Sequence, residues 1–267
     1  MVYLNGDVRP EAVEVPPSVA AVAERARRVA VLTGAGMSAE SGIATFRDRA
    51  SGLWSRFDPM TLATPQAFED DPDLVWAWYL WRIGVVADAQ PNAGHLALGE
   101  WERRGTIIDV VTQNVDDLHE RAGSEVLSHV HGGLFDYRCF DCAKPWSGEL
   151  VIPEEIPERV SPPKCACGGW VRPGIVWFGE MLPRRAFEDA VDACSSCDLM
   201  LIIGTSGIVQ PAGSLPFAAL ERGVPVIEIN PEESALTDYV THWWQGTAAE
   251  VLPRLVELAR TQWRPTH

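Results

Sequence analysis

The chain has 267 residues, 46% of them hydrophobic, enough to bury a substantial core in one large domain or in one domain carrying a smaller module. A net charge of −15, with Lys144 and Lys164 as the only lysines, argues against the phosphate backbone of a nucleic acid as a partner. No window approaches 18 consecutive apolar residues, and the first residues lack a basic stretch followed by an apolar one. Neither a membrane span nor a secretory signal is therefore expected, which places the chain in the cytoplasm.

Ser18 is expected to cap a helix over Val19–Arg28. Val29–Thr33 follows as a short β-branched run, the pattern of a buried strand. Gly34, Gly36 and Ala39 then stand in G-x-G-x-x-A spacing, with Ala35 and Ser38 among them. Between a strand and a helix start, such glycines let the backbone approach a pyrophosphate held by helix N-terminal amides. Alone, the spacing also fits an ordinary strand–helix turn. An aromatic–cation pair, Phe46 and Arg47, closes the stretch.

Residues 49–90, rich in Trp, Phe, Asp and Pro, read as a mostly helical insertion. Asn92 is expected to cap a helix over Ala93–Arg104, ended by Gly105. Ile107–Thr112 is a second buried strand, followed at once by Gln113, Asn114 and Asp116. Amides and a carboxylate there can hold ribose hydroxyls or a carboxamide, or simply satisfy a turn. Leu199–Gly204 and Val224–Ile229 read as further strands, with helices over Arg184–Ala193 and Ala248–Arg260. Strands alternating with helices predict an α/β fold with a parallel sheet. The strand ends read TGAG, TQNVD, IGTSG and EINPE, each turning from apolar to glycine or small polar residues. Ligands of open parallel sheets bind at that edge, so four such ends predict one shared nucleotide site.

Six cysteines fall into three tight pairs, which in a chain without an export signal favours a metal over disulfides. Cys139/Cys142 and Cys165/Cys167, 22 residues apart and flanked by prolines and glycines, suit a closed, structural four-cysteine zinc site. Cys194 and Cys197, at a helix end, are expected to be small semi-buried side chains. Among six histidines, His131 in SHVHGGLF is followed by two glycines that would free one face of its ring, making it the candidate base.

Taken in order, GAGMSAESGIATFR, TQNVDDLHERAG, HGGLF, the paired cysteines, VRPGIVWFGE, IGTSGIVQPA and EINPE resemble the sirtuins, NAD-dependent protein lysine deacylases, over roughly residues 18–260. The resemblance implies that the whole chain is one deacylase domain. Residues 18–48, 91–135 and 173–260 would form a Rossmann-type part, 49–90 the helical insertion and 136–172 a zinc module. NAD and an acyl-lysine protein or peptide would share the cleft between them.

By the same resemblance, Gly34, Ala35, Gly36, Ser38 and Ala39, with Phe46, Arg47 and Trp54, would surround NAD. Gln113, Asn114, Val115 and Asp116 would line the nicotinamide and ribose pocket, with Gln113, Asn114 and Asp116 sharing in catalysis beside His131, the general base. Gly204, Thr205 and Ser206 would hold the adenosine half, together with Asn230, Pro231, Glu232 and Ala248. Val176, Trp177, Phe178 and Gly179 resemble the strand that pairs with the substrate backbone. The reaction implied begins with attack of the acyl oxygen on the nicotinamide ribose. It ends in nicotinamide, free lysine and O-acyl-ADP-ribose.

Tyr79 and Arg82, three apart, fall on one helical face and would offer a hydroxyl and a guanidinium to a carboxylate. They resemble the Tyr-x-x-Arg of class III sirtuins, which remove succinyl, malonyl and glutaryl groups. The alternative is that Tyr79 pads the core among Trp76, Trp78 and Trp81. Ala44, Gly133 and Pro59 depart from residues usual in the family, Pro59 at a place that lines the acyl pocket. Mono-ADP-ribosyl transfer to protein, or NAD and zinc binding without turnover, are the other activities considered.

Overall fold

The computed structural model describes residues 14–43 and 56–259; Ala44, Phe46, Arg47 and Trp54 lie outside the described residues. The described residues form eight strands: β1 (Arg28–Thr33), β2 (Ile107–Thr112), β3 (Val126–His129), β4 (Tyr137–Cys139), β5 (Val171–Pro173), β6 (Leu199–Ile203), β7 (Val226–Asn230) and β8 (His242–Gln245). Six make one parallel sheet in the order β3-β2-β1-β6-β7-β8, while β4 and β5 pair antiparallel.

Both faces of the main sheet are covered, which explains why its central strands read as unbroken apolar runs. Val29 and Val31 of β1 and Leu199, Leu201 and Ile203 of β6 point to one face. There they meet Val19 of α1 (Pro17–Ala23), Leu98 and Trp101 of α6 (Ala93–Arg103), and Leu252, Leu255 and Val256 of α10 (Ala248–Ala259). Ala30, Leu32, Met200 and Ile202 point to the other, against Ala190 and Ala193 of α8 (Arg184–Ser196) and Leu215 and Ala219 of α9 (Leu215–Leu220). Cys194 and Cys197 are buried in this second layer, and burial pushes the Cys194 thiol up to about 12.

Several boundaries differ from the sequence expectation. The first helix starts at Pro17 without a side-chain cap and stops at Ala23, because Arg28 is already committed to β1. The short β4 and β5 escape the sequence pattern, and so do two strands of the main sheet. β3 has only Ser128 buried, and β8 is His-Trp-Trp-Gln with only Trp244 buried. Edge strands need not be apolar on both faces, so neither forms a β-branched run. Asn92 does cap α6: its side chain accepts from Gly94 N and His95 N, while His95 Nδ1 accepts from Asn92 N.

The insertion is helical: α3 (Pro59–Leu62), α4 (Pro65–Asp70) and α5 (Pro72–Asp88). Each begins with proline behind a capping side chain, Asp58, Thr64 and Asp71 respectively, a sequence device that fixes a helix start. Pro59 thus opens α3. Helix α5 is apolar on nearly all sides because it is surrounded: Trp76, Trp78, Tyr79, Leu80 and Ile83 share one core with Phe68, Leu134, Val171, Ile175 and Trp177. The insertion and the β4–β5 module therefore form a single second lobe. Among the described residues, no helix is long and apolar enough to cross a membrane.

Candidate active site

The carboxyl ends of β1, β2, β6 and β7 converge at one edge of the sheet. Gly34 N donates to Ile203 O at 2.9 Å and Gly36 N to Gly204 O at 2.8 Å, locking the turn after β1 onto the turn after β6. A Cβ on Gly34 would lie 2.7 Å from Thr205 Cβ, and one on Gly36 would lie 2.7 Å from Gly204 Cα. These glycines are thus required by loop-on-loop contact within the protein, a constraint their spacing alone does not reveal. The helix they open, α2 (Gly36–Ala39), is a single turn.

The β2 end supplies the polar cluster. Gln113 Nε2 donates to Thr205 Oγ1 at 2.9 Å, tying the β2 and β6 loops together. Asn114 Nδ2 donates to Ser38 Oγ at 3.1 Å, and Ser38 Oγ donates to Asp116 Oδ2 at 2.9 Å. Burial raises the Asp116 carboxyl above its usual range, against the Leu118 amide and Ser38 hydroxyl that bond its charged form. Ser38, Asn114 and Asp116 are all buried, and these bonds give their side chains partners within the protein. Val115 joins it to the second lobe, its carbonyl accepting from Leu134 N at 2.8 Å.

His131 hangs beside this cluster. Its Nδ1 lies 2.9 Å from the Gln113 carbonyl oxygen. A carbonyl can only accept, so the neutral ring carries its proton on Nδ1 and its lone pair on Nε2. Burial lowers the His131 pKa below 6.5, and the Gln113 bond offsets this only in part. The ring is therefore a neutral base at pH 7. Gly132 is needed where it stands: its φ is +72°, and a Cβ would come 2.1 Å from Gly174 O. The turn after His131 presses on the loop that leaves β5, and Val176 N donates to His131 O at 2.8 Å.

At the β7 end, Asn230 Nδ2 donates both to Thr205 O at 2.9 Å and to Glu228 Oε1 at 2.8 Å. Its NH2 group is therefore committed within the protein. Thr237 Oγ1 donates to the buried Glu228 at 2.6 Å, a partner that no local sequence pattern signals. Pro231 and Glu232 follow as exposed residues, and Ser206 O accepts from Ala235 N. Ala248 is buried at the start of α10, next to Ala249, whose N–H donates to Glu40 Oε2 at 2.9 Å and so ties α10 to the residue after α2.

The segment Val176–Gly179 corrects the expectation of a strand. It runs as a loop and turn, with three consecutive amides bonded internally: Val176 N to His131 O, Trp177 N to Glu180 Oε2 and Phe178 N to Ala63 O. Trp177 points into the second lobe. Tyr79 is also fully buried there, so it does pad the core, yet its hydroxyl accepts from Trp177 Nε1 at 2.7 Å. Burial, ahead of the opposing Arg82 charge, pushes the Tyr79 phenol up to about 12. Half-buried Arg82 lies with Cζ 5.0 Å from the Trp78 ring centroid.

The four thiols Cys139, Cys142, Cys165 and Cys167 gather within 4.8 Å of one another beside the β4–β5 pair. Cys139 Sγ is 3.5 Å from Cys167 Sγ, and Cys142 Sγ is 3.8 Å from Cys165 Sγ. Four thiolates around zinc at about 2.3 Å stand roughly 3.8 Å apart in a tetrahedron, so the cluster fits that ion with no open position. The Cys142 amide draws the Cys139 thiol down to about 7, toward the thiolate a metal requires.

A parallel α/β sheet with a four-cysteine lobe and a half-buried imidazole at its carboxyl edge defines a nucleotide-using enzyme. The Sir2 family model matches residues 34–211, and the chain belongs to that family. It is 50% identical over 238 residues to the NAD-dependent protein deacylase of Corynebacterium glutamicum, covering 88% of this chain and 92% of that one. It is 52% identical over 238 residues to NAD-dependent protein deacylase 1 of Pseudomonas aeruginosa, covering 88% and 95%. A Sir2 homologue solved with NAD superposes with a TM-score of 0.85 at 45% identity, covering 93% and 95% of the two chains. A Sir2 structure with a p53 peptide and NAD gives 0.79 at 31%, covering 91% and 98%.

Proposed function

We infer that this chain is an NAD-dependent protein lysine deacylase that transfers the acyl group to ADP-ribose. The observation that carries this reading is the 2.9 Å contact of His131 Nδ1 with the Gln113 carbonyl, which can only accept and so leaves Nε2 as the basic nitrogen. The bound dinucleotide supplies an electrophilic ribose carbon from which nicotinamide departs. Gln113, Asn114 and Asp116 hold the nicotinamide and its ribose, stiffened by Ser38. Gly204, Thr205, Ser206 and Asn230 hold the adenosine half. Pro231, Glu232 and Ala248 border it.

His131 takes a ribose hydroxyl proton at Nε2, and the Gln113 carbonyl stabilises the imidazolium through Nδ1–H. Because the Val176–Phe178 amides are internally bonded, a substrate main chain docks there by the groups left over or by displacing those bonds. Adding NAD and an acyl-lysine peptide should release nicotinamide with matching loss of the acyl group, and His131→Ala should abolish multiple turnover of both. Adenine label appearing on protein instead of on O-acyl-ADP-ribose would favour mono-ADP-ribosyl transfer.

The acyl groups preferred are acidic, succinyl and malonyl over acetyl. Arg82 offers a guanidinium within one turn of the Tyr79 hydroxyl on α5, and a hydroxyl with its oxygen already accepting still has its proton to give. Arg82→Met should depress turnover of succinyl and malonyl peptides more than of acetyl peptides, because a semi-buried carboxylate is left unpaired. Equal loss on all three would refute the acidic preference.

A further inference from the structure

Trp177 lies in the loop after β5, yet its ring is buried among Phe68, Phe140 and Tyr79 and is held from three sides. Arg172 Cζ stacks 3.2 Å from its ring centroid. Glu180 accepts from Arg172 through both oxygens, at 2.5 and 2.9 Å, and also from the Trp177 amide at 2.7 Å. The indole Nε1 donates to Tyr79 Oη at 2.7 Å. An indole N–H can only donate, so the Tyr79 oxygen accepts and the phenol proton must point away from Trp177.

We propose that Trp177 is a positioning residue for acyl selectivity: its indole N–H, steadied by the Arg172–Glu180 pair, aims the Tyr79 hydroxyl proton at an acyl-chain carboxylate held by Arg82. This rests on the acidic-acyl reading above. A hydroxyl already aimed makes its charge-assisted bond without first losing its freedom to rotate, and such bonds are the strong ones. An acetyl group has no carboxylate to receive that proton, so it gains nothing from the arrangement. His131 is anchored separately, on Gln113, and the effect therefore falls on selectivity.

The test is a double-mutant cycle on the ratio of kcat/KM for succinyl over acetyl peptide, using wild type, Trp177→Phe, Tyr79→Phe, the double variant and Arg82→Met. Trp177→Phe should lower the ratio roughly tenfold, the scale of one hydrogen bond to a charged acceptor. In the Tyr79→Phe background the same change should lower it no further, because the hydroxyl it acts through is gone. An unchanged ratio in Trp177→Phe overturns the inference. So does an equal fall in both backgrounds, which would mean that Trp177 acts by packing.

Should Trp177→Phe fail to fold, site-specific β-(3-benzothienyl)alanine at position 177 keeps the ring shape and removes only the N–H, with the same two outcomes. If Arg82→Met lowers the ratio while the Trp177 variants do not, the positioning role alone fails. If Arg82→Met leaves the ratio unchanged, the acidic-acyl reading fails and takes this role with it.

Discussion

Replacing Glu180 by alanine isolates the energetic weight of the Arg172–Glu180 clamp on Trp177. Arg172 is 1% exposed and gives Glu180 two hydrogen bonds, while Glu180 also receives the Trp177 amide. Removing the carboxylate leaves a buried guanidinium stacked on an indole, with the neutral Pro173 and Ile175 carbonyls as its remaining hydrogen-bond acceptors. Breaking a fully buried pair by deleting one partner costs about 3–5 kcal/mol. The Glu180 side chain keeps 20% of its exposure, so water can partly replace it and the lower end, about 3 kcal/mol, applies. Equilibrium urea unfolding of metal-loaded wild type and Glu180→Ala, followed by tryptophan fluorescence, measures the difference. Glu180→Gln, which retains an acceptor without the charge, should fall between them. A loss for Glu180→Ala below about 1 kcal/mol, the scale of an exposed surface pair, would show that the Arg172–Glu180 pair is solvent-screened and refute its role as a buried anchor.

Burial lowers the His131 pKa, so if its neutral ring is the proposed base, the acid limb of kcat/KM should be centred below the usual histidine value of 6.5. A pH–rate profile with its acid limb centred above 6.5 would contradict that assignment. Stripping zinc with a strong chelator should release one ion per chain and loosen the second lobe. Cys139 and Val171 are joined across β4–β5, and Val171 shares its core with Trp76, Tyr79 and Trp177, so the fluorescence change should accompany metal release measured by a chromogenic chelator. Two glycines should respond oppositely to alanine. Gly36→Ala forces a Cβ within 2.7 Å of Gly204 Cα and should destabilise the chain by more than about 1 kcal/mol. Gly84, inside α5 with nothing within 4 Å of a new Cβ, should gain about 0.5–1 kcal/mol on the same change in thermal or urea melts.

Much of the molecule is readable from local chemistry. β1 and β6 announce themselves because both faces of a covered parallel sheet must be apolar, and the polar residues that end them mark the binding edge. Paired cysteines declare a tetrahedral site through spacing alone, and Asn92 declares a helix start as a capping residue, to which the structure adds the reciprocal bond to His95. Ordered motifs identify the family because each carries a separate structural constraint. What the tertiary structure decided is contact between residues far apart in the chain. Tyr79 and Trp177 are 98 positions apart, and Gln113 and Thr205 are 92 apart. The insertion and the cysteine module join into one lobe only when α5 is wrapped by both. Gly36 is glycine because the Gly204 loop lies against it, and the Val176–Phe178 amides are engaged by His131, Glu180 and Ala63. Periodicity and capping act over a few residues, whereas such pairings follow from how chain segments meet in space and leave no periodic trace along the sequence.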